Sequence, residues 1–374
     1  MEQFTSYIRE NGEITHNCLA HLPVKPETIC FFDIETTGLS PNISSLYLIG
    51  AAVWKKDGFQ LTQWFADDYV SEKELLSSFA EFTAPYTAFA HYNGSTFDIP
   101  YLEKKYAAYS LSSPFREKVS IDVYRALPGN KSFFNTPDRK LTTMERLLSF
   151  HRGDSFTGKE CIQLYTEFMH KKFFRDSSSK ERKRQLLTHN SEDIQGLILC
   201  SQLLSYTHGE MDSSCTEQIP PTGGHMPWVI RGRLSRGFFP VPVSHAGMNI
   251  CQTYDKDMFC VEISPCQSTL KHYFQDYKNY YYLPKEDTAV HKSVGAYVDR
   301  EYRRQATAST CYIKKQGSFF SLPQNFTVEK IPLFYETHRS RRPFIEYSTL
   351  PSLTQGNLTK ILDEFRGKTD KSHN

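Results

Sequence analysis

The sequence predicts an α/β protein: a mixed five-stranded sheet flanked by helices, followed by a smaller, mostly-β (α+β) domain. Three observations lead there. Apolar runs follow one another directly near the start and then alternate with amphipathic helices, the order that builds a mixed sheet. The texture turns to short strands after a stretch marked by Pro220, Pro221, Gly223 and Gly224. One buried strand also carries two acids on a single face.

That strand is Ile29–Ile34, apolar except at Asp33 and closed by a Thr-Gly turn. Asp33 and Glu35 are two residues apart, so their side chains leave the same side of it. Paired carboxylates on an apolar strand repel and lose hydration unless a cation neutralises them. Magnesium and manganese prefer such hard oxygen ligands. A bare pair of acids at a strand end would more often be a surface feature.

Leu46 to Trp54 is the second apolar run and Phe59 to Ala66 the third, joined by the turn Lys56-Asp57-Gly58. Ser71 opens a helix with Glu74 three residues on, a capping box ahead of Leu75, Phe79 and Phe82. Pro85 stops it. Thr87 to Tyr92 is a strand, Ser95 to Tyr109 a helix and Val119 to Tyr124 the fifth strand. Thr142 and Glu145 mark a second capping box before Met144, Leu147 and Leu148. A long helix follows from Ser178 to Leu204, its buried stripe running through Leu187, Ile194, Leu197 and Leu204.

These limits divide the chain into an N-terminal extension (1–26), an α/β domain (27–207), a linker (208–224) and a C-terminal domain of unassigned type (225–374). In the last part Trp228 to Val243, Phe259 to Ile263, Thr310 to Ile313 and Phe319 to Leu322 read as strands. Ala289 to Arg304 reads as a helix among them.

A length of 374 residues fits two domains, and 39% hydrophobic with 23% charged residues describes an ordered rather than a disordered protein. A net charge of +2 confines any nucleic-acid-binding surface to a local patch. No apolar stretch is long enough to span a bilayer, and Met1–Thr5 lacks a signal-peptide pattern. The nine cysteines are scattered without a C-x-x-C pair, which argues against zinc and against a disulfide framework. A reducing cytoplasm fits them.

Two further segments complete the pattern. Asn93-Gly94-Ser95-Thr96-Phe97-Asp98 precedes a helix, and His189 and Asp193, four apart, share one helix face. With Asp33-Ile34-Glu35-Thr36-Thr37-Gly38, the chain resembles the DnaQ-like (DEDD) 3′–5′ exonucleases of the ribonuclease H-like superfamily. The second and third motifs look most like the YprB-type ribonuclease H-like proteins. The resemblance covers roughly residues 27 to 207.

It implies a two-metal-ion hydrolysis of phosphodiester bonds in DNA or RNA from a 3′ end. Asp33, Glu35, Asp98 and Asp193 would hold two Mg²⁺ or Mn²⁺ ions, with Asp33 bridging them, and His189 would be the general base. Thr36, Thr37, Gly38, Leu39 and Asn93 would meet the substrate. Histidine-type members usually place the histidine five residues before the acid, and here the spacing is four. A nucleic-acid-binding module with weak catalysis is the alternative. A transposase-like enzyme fits less well, since its acids lack the paired D-x-E.

Other residues carry weaker signals. Asp122 reads as structural, and Asn93 could instead only shape the Asn-Gly turn. Gly196 points to close backbone approach or to simple tolerance. The run Lys180–Arg184 is a solvated helix face by default and a phosphate contact on the sharper reading. Tyr277 and Tyr280–Tyr282, followed by Lys292, Arg300, Arg303 and Arg304, either fill a strand-rich core or stack on single-stranded bases.

Overall fold

The structure is a computed structural model. It describes residues 1–9, 16, 19–20, 22, 24–127, 134, 136–153, 155–204, 211–219, 227–234, 250–255, 258–353, 356–357 and 360–361. The chain divides into two compact units. One is Met1–Lys131 with Thr136–Glu210 and Leu234–Val241; the other is Ser132–Asn135 with Met211–Arg233 and Pro242–Asn374.

Among the described residues the first unit is built on six strands: β1 (Glu2–Ile8), β2 (Ile29–Thr36), β3 (Leu46–Lys55), β4 (Gly58–Phe65), β5 (Ala88–His91) and β6 (Val119–Asp122). They lie in the order β1-β4-β3-β2-β5-β6. Pairing is antiparallel from β1 through β4 and β3 to β2, and parallel from β2 through β5 to β6. The sequence predicts five of these strands. The sixth, β1, comes from the expected N-terminal extension. Its run Glu-Gln-Phe-Thr-Ser-Tyr-Ile is mostly polar because an edge strand needs little apolar surface, so it carries no strong strand signal.

Helices α1 (Glu72–Thr83), α2 (Asp98–Ala108), α3 (Leu141–Leu147), α4 (Gly158–Phe173) and α5 (Ser179–Ser201) accompany the sheet. Phe32, Tyr47, Phe65, Phe79, Leu102 and Tyr165 belong to one continuous core, in which Tyr47 stacks on Tyr165 at 4.1 Å. Helix α4 was not anticipated, although Cys161, Leu164, Tyr165 and Phe168 form a buried helical stripe and Thr157 with Glu160 makes a complete capping box.

The two predicted capping boxes do not form. At α1, Ser71 makes no side-chain cap, and the Asp68 carboxylate takes the Val70 and Ser71 N–H groups instead. At α3 the N-cap is Lys140, and Glu145 is buried for another purpose. Strand β6 ends at Asp122 rather than Tyr124, because the Asp122 carboxylate accepts the Arg125 N–H and starts a single helical turn, Val123–Ala126.

Among the described residues the second unit holds three small sheets. Strands β7 (Met211–Ile219), β8 (Trp228–Leu234), β9 (Ile250–Asp255) and β10 (Met258–Ile263) pair in the order β7-β8-β10-β9. The predicted linker therefore contains a strand; its other residues, 208–210 and 220–224, lie outside the described residues, as do 235–243 of the first expected strand here. Strands β11 (Cys266–Tyr273), β15 (Tyr312–Ser321) and β16 (Phe344–Glu346) make the second sheet, in which two expected strands are one. Strands β13 (Thr288–His291), β12 (Tyr280–Leu283) and β14 (Arg304–Gln305) make the third.

The expected helix from Ala289 to Arg304 is thus two strand ends around the short helix Lys292–Gly295. Gly295 and the β-branched Val290, Val294 and Val298 lower its helix propensity, and its two ends pair with β12 instead. Tyr277, Tyr280 and Tyr282 pack against a small core of Ala289, Ala306 and Cys311. Tyr281 lies under Arg303 and Lys292, 4.6 and 5.5 Å from the ring centre. Among the described residues no helix is long and apolar enough to cross a membrane.

Candidate active site

Strand β2 lies inside the sheet, paired with β5 over Ile29–Phe31 and with β3 along its length, and it carries Asp33 and Glu35 beyond the β5 pairing, opposite Gly50 and Leu48 of β3. Asp33 and Glu35 leave one face. Asp98 is the first residue of α2, and its carboxyl lies close enough to the Ile34 backbone of β2 to be influenced by it. Helix α5 docks through Leu186, Ile194 and Leu197, and the same face delivers His189 and Asp193.

Glu35, His189 and Asp193 each offer a ligand atom within 4.8 Å of the others. His189 Nε2 lies 3.6 Å from Glu35 Oε1 and 3.4 Å from Asp193 Oδ2. Asp33 and Asp98 stand close enough to feel the charges of this group.

The cluster is electrostatically unfavourable by itself. Burial, followed by the charges of Asp193, Asp98 and Glu35, raises the Asp33 carboxyl well above the usual range. Burial also pushes Glu35 up to about 8, against the pull of His189, and Asp98 up to about 7. Asp33 and Asp98 keep some surface open to solvent, so an ion could reach them. The carboxylate oxygens, gathered where their negative charge is disfavoured, form a donor set that suits a hard divalent cation, with the His189 imidazole beside them.

Several residues that hold these groups went unrecognised in the sequence. Asn190, fully buried, donates Nδ2–H to Asp33 Oδ2 at 3.0 Å, and its Oδ1 accepts from Gln63 Nε2 at 2.8 Å. Tyr47 donates its hydroxyl to Glu35 Oε2 at 3.4 Å. Asn190 was legible in principle: it follows His189, about 100° around the helix toward the sheet. Tyr47 and Gln63 carry no such signal, because they meet the site only through strand pairing.

Gly50, opposite Asp33 on β3, leaves room for that amide, since a Cβ there would collide with Asn190 Oδ1. Gly50→Ala should therefore destabilise the fold by roughly 1–3 kcal/mol, the usual range for an overpacked site. Urea denaturation measures it, and unchanged stability would show that Asn190 relocates at no cost. Gly196 has a comparable reason, resolved in favour of close approach: a Cβ would run into the Glu145 carboxylate rather than the sheet.

The residues expected to meet substrate are divided. Thr36 Oγ1 donates to the Gly38 carbonyl at 2.9 Å and Thr37 Oγ1 accepts the Ser45 N–H at 2.8 Å, so both shape the turn after β2. Leu39, 85% exposed, is free to touch a ligand. Asn93 has a left-handed backbone, φ 61°, and its N–H donates to Asp122 Oδ1 at 3.0 Å. Its exposed side chain is the part open to substrate. Asp122 also accepts the Ser95 N–H at 3.4 Å and so braces the Asn93 turn.

The basic run on α5 is largely paired: Arg182 with Glu167 at 2.8 Å, Lys183 with Glu2 at 2.7 Å and Arg184 with Glu181 at 2.6 Å. Lys180, Lys183, Arg184 and Leu187 line a cleft of about 450 Å³ with Phe4 and Gln63. Leu187 lies roughly 160° around the helix from His189, at ~100° per residue. The cleft is therefore on the other flank of α5.

Residues 30–205 match the family model described as the RNase_H superfamily. The first unit has a ribonuclease H-like fold. Similar solved structures include a family B DNA polymerase from the hyperthermophilic archaeon Pyrobaculum calidifontis, 14% identical with a TM-score of 0.37. That match covers 48% of this chain and 26% of the polymerase. E. coli exonuclease I in complex with a dT13 oligonucleotide is 15% identical with a TM-score of 0.29, covering 54% of this chain and 47% of that one. The chain thus spans less than half the length of either. No curated protein matches it.

Proposed function

We propose that this protein is a divalent-cation-dependent 3′–5′ exonuclease of DNA or RNA, a YprB-type member of the DnaQ-like group. The observation that carries the reading is the convergence of Asp33, Glu35, Asp98, His189 and Asp193 from distant parts of the sequence. The buried thiols of Cys30 and Cys200 suit work in a reducing cytoplasm.

Asp33, Glu35, Asp98 and Asp193 would hold two Mg²⁺ or Mn²⁺ ions, with Asp33 shared. Bound there, the ions supply Lewis acidity toward the phosphodiester and the attacking water. His189, neutral, accepts the proton of that water through Nε2 as the water attacks phosphorus. The phosphorus–oxygen bond to the 3′-oxygen of the neighbouring nucleotide breaks, and that oxygen is protonated from solvent. Leu39 and the Asn93 side chain would border the terminal nucleotide.

The direct test is digestion of end-labelled single- and double-stranded DNA and RNA with Mg²⁺ or Mn²⁺. Stepwise loss from the 3′ end is expected, abolished by excess chelator. Undiminished hydrolysis in EDTA would sink the two-metal reading.

A second expected result needs no substrate. In the unfolded chain these carboxyls ionise near pH ~4. In the folded chain Asp33, Glu35 and Asp98 hold their protons to higher pH. The protonated cluster is fully stabilising below ~4, and that contribution is lost as pH rises through 7 to 8. Manganese replaces protons, so its gain in melting temperature should be larger at pH 8 than at pH 5. Equal gains at both would show that the ion binds elsewhere.

A further inference from the structure

We infer that Arg152 is a positioning residue for the cation site: anchored on buried Glu145, it holds one oxygen of Asp193 and leaves the other as the ligand. This rests on the cation-dependent reading of the cluster. The Arg152 guanidinium is clamped by two parallel hydrogen bonds, Nε to Glu145 Oε2 at 2.7 Å and Nη2 to Glu145 Oε1 at 2.6 Å. From that anchor Nη2 also reaches Asp193 Oδ1 at 2.5 Å. Asp193 Oδ2 is the oxygen turned toward His189 Nε2.

The anchor itself is deeply set. Glu145 is 1% exposed, on α3, and occupies space that exists because residue 196 of α5 is glycine. A buried carboxylate is costly unless it is paired, so Glu145 and Arg152 fix one another. The next residue secures the loop to the same helix, with the Gly153 N–H donating to Glu192 Oε1 at 2.8 Å. Two adjacent loop residues are thus tied to two adjacent carboxylates of α5, those of Asp193 and Glu192.

The consequence is chemical. A free aspartate can rotate and present either or both oxygens to a cation. With Oδ1 committed to a planar guanidinium, Asp193 offers a single oxygen in a fixed direction before any ion arrives. Lysine, a point charge on a flexible stem, would keep the charge without the fork. Partners that orient ligands in this way typically contribute 10–100-fold to metal affinity.

The test compares the full-length chain with its Arg152→Met and Arg152→Lys variants, with Mn²⁺ binding followed by calorimetry and folding by circular dichroism. Binding should weaken roughly 10–100-fold in Arg152→Met and less in Arg152→Lys, both remaining folded. Glu145→Gln, which keeps Asp193 and Arg152 in place but loosens the anchor, should fall in the same direction. Unchanged or tighter Mn²⁺ binding in folded Arg152→Met would overturn the inference, tighter binding meaning that the guanidinium competes with the ion. Because the readout is ion binding, it stands apart from the exonuclease reading, which fails if the wild-type chain binds Mn²⁺ but hydrolyses no polynucleotide.

Discussion

Asp33→Ala should reduce hydrolysis by more than the roughly 10²–10⁴-fold that loss of a positioned general base costs. The reason is its place. Asp33 sits on the strand between β3 and β5, receives the Asn190 amide, and is surrounded by Glu35, Asp98 and Asp193. Removing it takes away the carboxylate proposed to be shared by both ions, so neither would be held in place. The fold should survive, because the substitution relieves repulsion among buried acids. Single-turnover rates and Mn²⁺ calorimetry on the same preparation check both statements. Asp122→Asn is the control: it weakens the brace on the Asn93 turn and should affect stability more than chemistry. Equal rate losses at Asp33 and Asp122 would mean the site is misassigned.

His189→Ala should slow hydrolysis by roughly 10²–10⁴-fold while Mn²⁺ binding changes much less. His189 is buried at 6% exposure, with Nε2 between Glu35 and Asp193, so it can take a proton from a water lodged among them. The spacing of four between His189 and Asp193 is satisfied on one continuous helix, where residues four apart lie about 40° from each other. The rate of the wild-type chain should also fall at low pH, where an imidazolium cannot accept a proton. A wild-type rate in the variant, with its pH profile unaltered, would assign the proton to solvent.

Both predictions concern residues readable from local pattern. Ile29–Ile34 announces a buried strand by its apolar run, and period two alone puts Asp33 and Glu35 on one face. Period 3.6 alone puts His189 and Asp193 on another. Such relations span few residues and depend only on backbone geometry, so they survive whatever packs around them. Helix α4 is equally legible, through its Thr157–Glu160 box and its stripe from Cys161 to Phe168. By contrast the Thr142–Glu145 box was a false signal: the motif fits a helix start, but Glu145 gains more from the guanidinium of Arg152 than from a backbone amide.

What the sequence by itself determined, then, is five of the six strands in the first unit, most of its helices, and the pairs of chemistry-bearing residues on them. Tertiary structure alone decided how those pairs meet and what holds them. The amide of Asn190 finds Asp33 across 157 residues of chain, the fork of Arg152 finds Asp193 across 41, and β1 closes the sheet edge with little apolar signal of its own. Contacts of this kind depend on the docking of whole elements, which sums many small packing terms that no short window of sequence contains. Glycines at 50 and 196 show the same division: each is visible as a residue, but only the side chain arriving from another element explains its lack of a Cβ.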